Sequence, residues 1–230
     1  MRDYYQSQLD SINKNLIDMG LLLEDAIQNS ILCLKSADRN IINAASKMEL
    51  DIERMEKDLE GLCLNVILRQ QPVAGDFRFV SSVLKMITDM KRIGNITEDI
   101  AMLSAMIKAC RNSMYLNDII AMGKITVQML KNSIDAYVNR NIESAFIARD
   151  ADDEVDEYFD SVKEQLIAMI KSDARGAEEA PDLLMIAKYF ERLGDHCVNV
   201  AEWVIYAFTG RRGGHLDSFN DIKEATKYIQ

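Results

Sequence analysis

Only two prolines, Pro72 and Pro181, interrupt 230 residues in which apolar side chains recur at three-and-four spacing, and that combination restricts the chain to long α-helices. A first helix is expected at about 4–35, where Leu9, Leu16, Met19, Leu23, Ile27, Ile31 and Leu34 share one face. A second is expected at about 39–70 through Ile41, Met48, Ile52, Met55, Leu59, Leu62 and Val66. The stretch RQQPVAGD then breaks the pattern and ends in Asp76, a suitable N-cap for a third helix at about 77–110. Further helices are expected at about 116–138, 141–172 and 181–208, with breaks at VNRN and KSDARGAEEAPD. At 1.5 Å per residue each reaches roughly 35–50 Å, and short connections between such helices make antiparallel neighbours.

The second half repeats the first. DMGLLLEDAIQNSI from Asp18 aligns with AMGKITVQMLKNSI from Ala121, DRNI at 38–41 with NRNI at 139–142, and KRIGN at 91–95 with ERLGD at 191–195. Three similar units in one order indicate a duplication. The expected class is therefore all-α, two tandem pseudo-symmetric three-helix bundles of six long antiparallel helices. They would occupy residues 1–112 and 113–210, followed by a tail at 211–230 with room for one short helix.

Composition narrows the function classes. A net charge of -10 and a pI near 4.8 exclude a nucleic-acid binder, which needs a basic face to neutralise phosphates. The apolar fraction of 48% is enough for a core, yet no apolar run approaches the roughly 18 residues of a membrane span. No secretory leader is evident at MRDYYQSQLD. Cys33, Cys63, Cys110 and Cys197 are widely spaced among helical apolar residues, which reads as buried thiols in a reducing compartment.

The stretch ERLGDHCVNVAEW carries the candidate chemistry. On a helix, Glu191, Asp195, Asn199 and Glu202 fall near 0°, about 40°, about 80° and about 20°, one narrow face rich in oxygen. The fifth helix carries RDADDEVDEYFD, with Asp152 and Asp156 stacked one turn apart. Two facing carboxylate stripes would hold a hard cation through oxygen alone, such as magnesium, calcium, manganese or ferric iron. A solvated acidic face explains each stripe as well. His196 lies off the centre of the row and reads as a packed or supporting residue, and His215 in the tail has no role. Neither histidine completes a Glu-x-x-His pair, and no nucleophile motif or phosphate-binding loop is present.

YFERLGDHCVNVAEWVIYAFTG, RQQPVAGDFRFV and MGLLLEDAI together resemble the PhoU family of phosphate-transport regulators, over nearly the whole chain up to Gly210. The resemblance implies a cytoplasmic protein of two three-helix bundles that restrains phosphate uptake and the phosphate-starvation response. Its implied partners are the ATP-binding subunit of the phosphate transporter, a sensor histidine kinase and a second copy of itself, with no nucleic acid and no membrane insertion. It also implies an oxygen-ligated iron, magnesium or manganese ion. By position, Glu191 and Asp195 are the motif pair, Asn199 and Glu202 extend the row, and Asp152 and Asp156 face it. The first bundle departs from the pattern, with Lys91 and Asn95 at the motif positions and Glu98 and Asp99 as nearby acids. A weak or empty first site is therefore expected, with Arg92 and Arg192 as ion-pair partners. Gly94 persists where the acids are lost, which assigns it and Gly194 to helix packing. Two other readings stay open: a metal-dependent enzyme acting on phosphate compounds, and a metal-free helical interaction module.

Overall fold

The computed structural model describes residues 2–36, 38–111, 113–172 and 175–212. Its helices are α1 (Arg2–Lys35), α2 (Arg39–Gln70), α3 (Ala74–Ser104), α4 (Leu116–Asn139), α5 (Ile142–Asp150), α6 (Asp152–Lys171) and α7 (Ala180–Thr209), with a 3-10 turn at Ala177–Glu179. The described residues contain no strand, and no helix among them is long and apolar enough to cross a membrane. The tail beyond Arg212, including His215, lies outside the described residues.

Helices α1, α2 and α3 pack on one another, as do α4, α5, α6 and α7, and the two groups join where α3 meets α7 and α1 meets α4. One apolar core runs through both groups, from Ile12 and Leu16 through Met86 and Met90 to Phe190 and Val204. The duplication is visible in its packing. A Cβ on Gly20 of α1 would lie 3.0 Å from Ile134 of α4. One on Gly123 of α4 would lie 2.8 Å from Ile31 of α1 and 2.9 Å from Phe190. Gly20 is equivalent to Gly123 and Ile31 to Ile134 in the repeat, so the halves meet through one contact made twice, as two subunits do about a two-fold axis.

Three boundaries differ from the sequence reading. The third helix begins at Ala74 rather than after Asp76, with Val73 as an N-cap lacking a side-chain bond and Asp76 in the first turn. Gln71 and Ala74 take positive φ, 49° and 46°, to turn the chain between α2 and α3. The third helix also ends at Ser104, not near 110. There the Arg111 guanidinium donates to the carbonyls of Cys33, Leu34, Ser104 and Ile107, capping the C-terminal ends of α1 and α3 together. The Glu179 carboxylate accepts from the N–H groups of Lys108, Ala109 and Cys110. Burial pushes Glu179 upward, but these three bonds prevail and hold its carboxyl below the usual range. Finally, the fifth helix is two helices, because the chain turns at Ala151 between α5 and α6. The acids Asp152, Asp153 and Glu154 thereby occupy the first turn of α6, where exposed N–H groups favour negative charge.

All four cysteines are free and buried, and burial pushes the thiols of Cys33, Cys63 and Cys110 up to about 11, about 12 and about 11. Such thiols pack and do not react.

The reciprocal contact sets a test. Gly123→Ala forces a methyl against Ile31 and Phe190 and is expected to destabilise by about 1–3 kcal/mol in urea melts. Gly61→Ala, inside α2 with nothing within 4 Å of the added methyl, is expected to stabilise by about 0.5–1 kcal/mol.

Candidate functional site

The α6–α7 contact draws together four of the six carboxylate and amide residues singled out in the sequence. Gly194 has no Cβ, and the carboxylate of Asp152 lies where that atom would be, with Oδ1 in contact. Gly194 is therefore more than a packing residue: it lets an acid from α6 lie against α7. In the first bundle the equivalent Gly94 receives Ile52, whose Cγ2 lies 3.0 Å from the built Cβ position. One backbone design thus seats an isoleucine in one half and an aspartate in the other.

The electrostatics follow from that seating. Burial, then Asp156, Asp195, Glu191 and Asp153, push the Asp152 carboxyl up to about 7. Asp156 is raised by burial and then by Glu191, and Asp195 likewise by burial and then Glu191, with Lys188 opposing both. Lys188 pairs with Glu191 Oε1 at 2.5 Å and sits 5.4 Å from the Phe159 ring centre. The second oxygen of Glu191, Oε2, and Asp152 Oδ1 are both buried with no hydrogen-bond partner. Two orphaned carboxylate oxygens in one groove mark unmet demand for positive charge. Among the described residues, no three His, Cys, Asp or Glu side chains are already drawn together as a ready metal-ligand set.

Asn199 and Glu202 do not join this groove. Arg212, just past α7, donates to Glu202 Oε2 and to Asn199 Oδ1, each at 3.2 Å, and stacks 3.8 Å from the Trp203 ring centre. The row of four is therefore divided: its first two members face α6 and its last two hold Arg212. Periodicity could not show this, because the partner lies beyond the helix.

The first bundle carries the same groove already neutralised. Lys91 lies 3.4 Å from Glu53 Oε1 and 4.0 Å from Glu56 Oε2, and Lys57 holds Glu53 at 3.0 Å. Turned so that its amide nitrogen faces the acceptors, Asn95 donates to Glu49 Oε1 at 3.2 Å and to the Lys91 carbonyl at 3.0 Å. Sequence reasoning named Glu98 and Asp99 here and missed Glu49, Glu53 and Glu56. The signal was available, since these lie at i, i+4 and i+7 on α2, and Glu53 and Glu56 are the repeat equivalents of Asp153 and Asp156. His196 is a supporting residue: its Nδ1 lies 2.9 Å from Asp89 Oδ1 on α3. Arg92 approaches Asp89 at 3.8 Å, whereas Arg192 closes no ion pair among the described residues, so the ion-pair expectation holds for Arg92 alone.

A family model described as PhoU domain matches the chain twice, at residues 16–104 and 119–204. The chain is 31% identical over 212 residues to the "Phosphate-specific transport system accessory protein PhoU homolog" of Clostridium acetobutylicum, covering 92% of this chain and 97% of that one. It is 25% identical to the "Phosphate-specific transport system accessory protein PhoU" of Escherichia coli K12, covering 92% and 88%. In fold it is similar to the crystal structures of PhoU from Pseudomonas aeruginosa (TM-score 0.81, 23% identity, 90% and 100% covered) and of the phosphate transport system regulatory protein PhoU from Streptococcus pneumoniae (TM-score 0.83, 21% identity, 91% and 99% covered).

A folded Asp152 that keeps its proton to about 7 binds more protons than the unfolded chain across the window from the ordinary carboxylate range to about 7, so stability falls as pH rises through that window. Asp152→Asn is expected to remove this loss, raising stability at about pH 8 by roughly 1–2 kcal/mol after allowance for solvent screening, with little effect near pH 4. Thermal melts of both proteins across that range check it.

Proposed function

The chain belongs to the PhoU family, and from that premise we propose that it is an accessory regulator of a phosphate-specific transport system. The observation that carries this reading is the 31% identity along almost the full length of both chains, with the family domain present twice. The relatives are named as accessory proteins and for no reaction, which sets this chain among regulators rather than enzymes.

In this reading the protein works in the cytoplasm as a helical scaffold, restraining phosphate uptake and starvation signalling by docking the transporter's ATP-binding subunit and a sensor histidine kinase, and pairing with a second copy of itself. An exposed apolar patch at the α2–α3 turn supports docking: Leu64 and Leu68 stand on one face of α2, and Val73 and Phe77 continue the exposed apolar surface beyond the turn. Patches of this kind on a soluble surface are typical contact sites. Leu64→Asp with Leu68→Asp is expected to abolish co-purification with the transporter's ATP-binding subunit while leaving the circular dichroism spectrum and melting curve intact. Failure of the wild-type chain to associate at physiological salt would remove the reading.

We further propose that the α6–α7 groove takes a hard cation. Asp152, Asp156, Glu191 and Asp195 fit such an ion in donor chemistry, since all are oxygen ligands and two of their oxygens are buried without partners. Asn199 and Glu202 would contribute only if Arg212 were displaced from them. When bound, a magnesium, manganese or iron ion would supply the positive charge that Lys91 supplies in the first bundle. The residues' own part is to hold the ion and to release the proton carried by Asp152. Manganese or magnesium is expected to raise the melting temperature of the wild type above about pH 7 and less at about pH 5, because the ion competes with that proton. Glu191→Gln with Asp195→Asn is expected to lose the effect. A melting temperature indifferent to either metal at both pH values refutes the cation reading and leaves the accessory role as it stands.

A further inference from the structure

Helix α7 carries a second polar row beside the acidic one. Arg192 and His196 follow Glu191 and Asp195 by one residue, about 100° round the helix, and they face α3 instead of α6. Against them α3 sets Arg92, Asn95, Ile96 and Asp99, and these six residues line a cleft of about 320 Å³ on the seam between the bundles. Arg92 and Arg192 are equivalent positions of KRIGN and ERLGD, so the duplication brings one guanidinium from each half to a single cleft.

The donors and acceptors there form a specific set. Arg192 makes no hydrogen bond or ion pair among the described residues, although its charge lowers the Asp99 carboxyl against the larger upward push of burial and Glu98. Among the described residues Arg92 pairs with Asp89 alone, at 3.8 Å, and Asp89 is already held by His196 at 2.9 Å. The Asp89 carboxylate accepts, so His196 donates to it from Nδ1. The cleft therefore offers guanidinium donors for bare anionic oxygens and, in the Asp99 carboxylate, an acceptor for a proton.

We propose that this seam cleft binds inorganic phosphate in its proton-bearing forms, with Arg92 and Arg192 donating to the unprotonated oxygens and Asp99 accepting from P–OH. Two arginine forks match the geometry of a tetrahedral oxyanion. The carboxylate supplies selectivity. Sulfate at neutral pH has no proton to give, so seating it beside Asp99 leaves an acceptor facing an acceptor, whereas phosphate turns the same contact into a hydrogen bond. This inference goes beyond the accessory role and requires neither a partner nor the acidic groove.

The test is isothermal titration of the full chain in chelator, which keeps metal-bound phosphate out of the measurement, with sodium chloride matched for ionic strength. The wild type is expected to bind phosphate at least about tenfold more tightly than sulfate. Arg92→Ala with Arg192→Ala is expected to lose about tenfold or more in phosphate affinity, with the fold verified by circular dichroism. Asp99→Asn is expected to keep binding phosphate while its preference over sulfate falls to near unity, a change that a merely structural Asp99 would not cause. Absence of phosphate binding by the wild type, equal affinity for sulfate, or unchanged affinity in the double arginine variant would each overturn the proposal. Tighter binding of phenyl phosphate than of phosphate would overturn the assignment to the free ion in favour of a phosphoryl group on a larger molecule.

Discussion

The burial of α7 against both α3 and α6 is the constraint from which the rest follows. Leu193, Cys197, Val200 and Val204 are wholly buried, so the middle of this helix packs its apolar side entirely inside the fold. The polar residues in its middle turns border two seams, and each seam has its own chemistry. Toward α6 stand Glu191 and Asp195, and toward α3, about 100° round the helix, stand Arg192 and His196. A rod with one solvated face would let these groups spread into water. Packed on both sides, it holds them against fixed neighbours, where burial and like charge are no longer screened away.

Much of this was legible in the sequence. Scarce prolines and unbroken three-and-four periodicity sufficed for the helices, and the spacing of Gly20 and Gly123, Ile31 and Ile134, Gly94 and Gly194 carried the pseudo-symmetry that the packing displays. The facing of Asp152 and Asp156 with Glu191 and Asp195 was also within reach, because i,i+4 stripes on neighbouring helices must point somewhere common. The features that escaped are those set by residues distant in sequence. Periodicity runs on through Ile107 and Cys110, yet the third helix stops at Ser104, where Arg111 collects carbonyls from two helix ends and Glu179 collects N–H groups from the linker. Ala151 breaks the fifth helix without any proline or glycine to announce it. Arg212 claims Asn199 and Glu202 from outside their helix. Each is a side chain satisfying backbone or charge across a gap that a helical wheel does not represent.

The two grooves show how a duplicated fold diverges while its backbone stays fixed. Both halves press a side chain, from α2 in the first and α6 in the second, onto a glycine of the group's last helix, and both line that contact with acids. In the first half the seated residue is Ile52, and the acids are neutralised from within by Lys91, Lys57 and the Asn95 amide. In the second half the seated residue is Asp152, the lysine position is Glu191, and among the described residues the ion pair to the groove is the one made by Lys188. A partly buried carboxylate cluster beside a single lysine is a poor stabilising device, because desolvation and mutual repulsion both oppose it. Its two orphaned oxygens are the mark of a groove shaped by something other than stability, next to a twin in which the same demand is met by the chain itself. The first half therefore serves as an internal control for the second: the fold needs the glycine and a filled contact, and the uncompensated charge is an addition to that need.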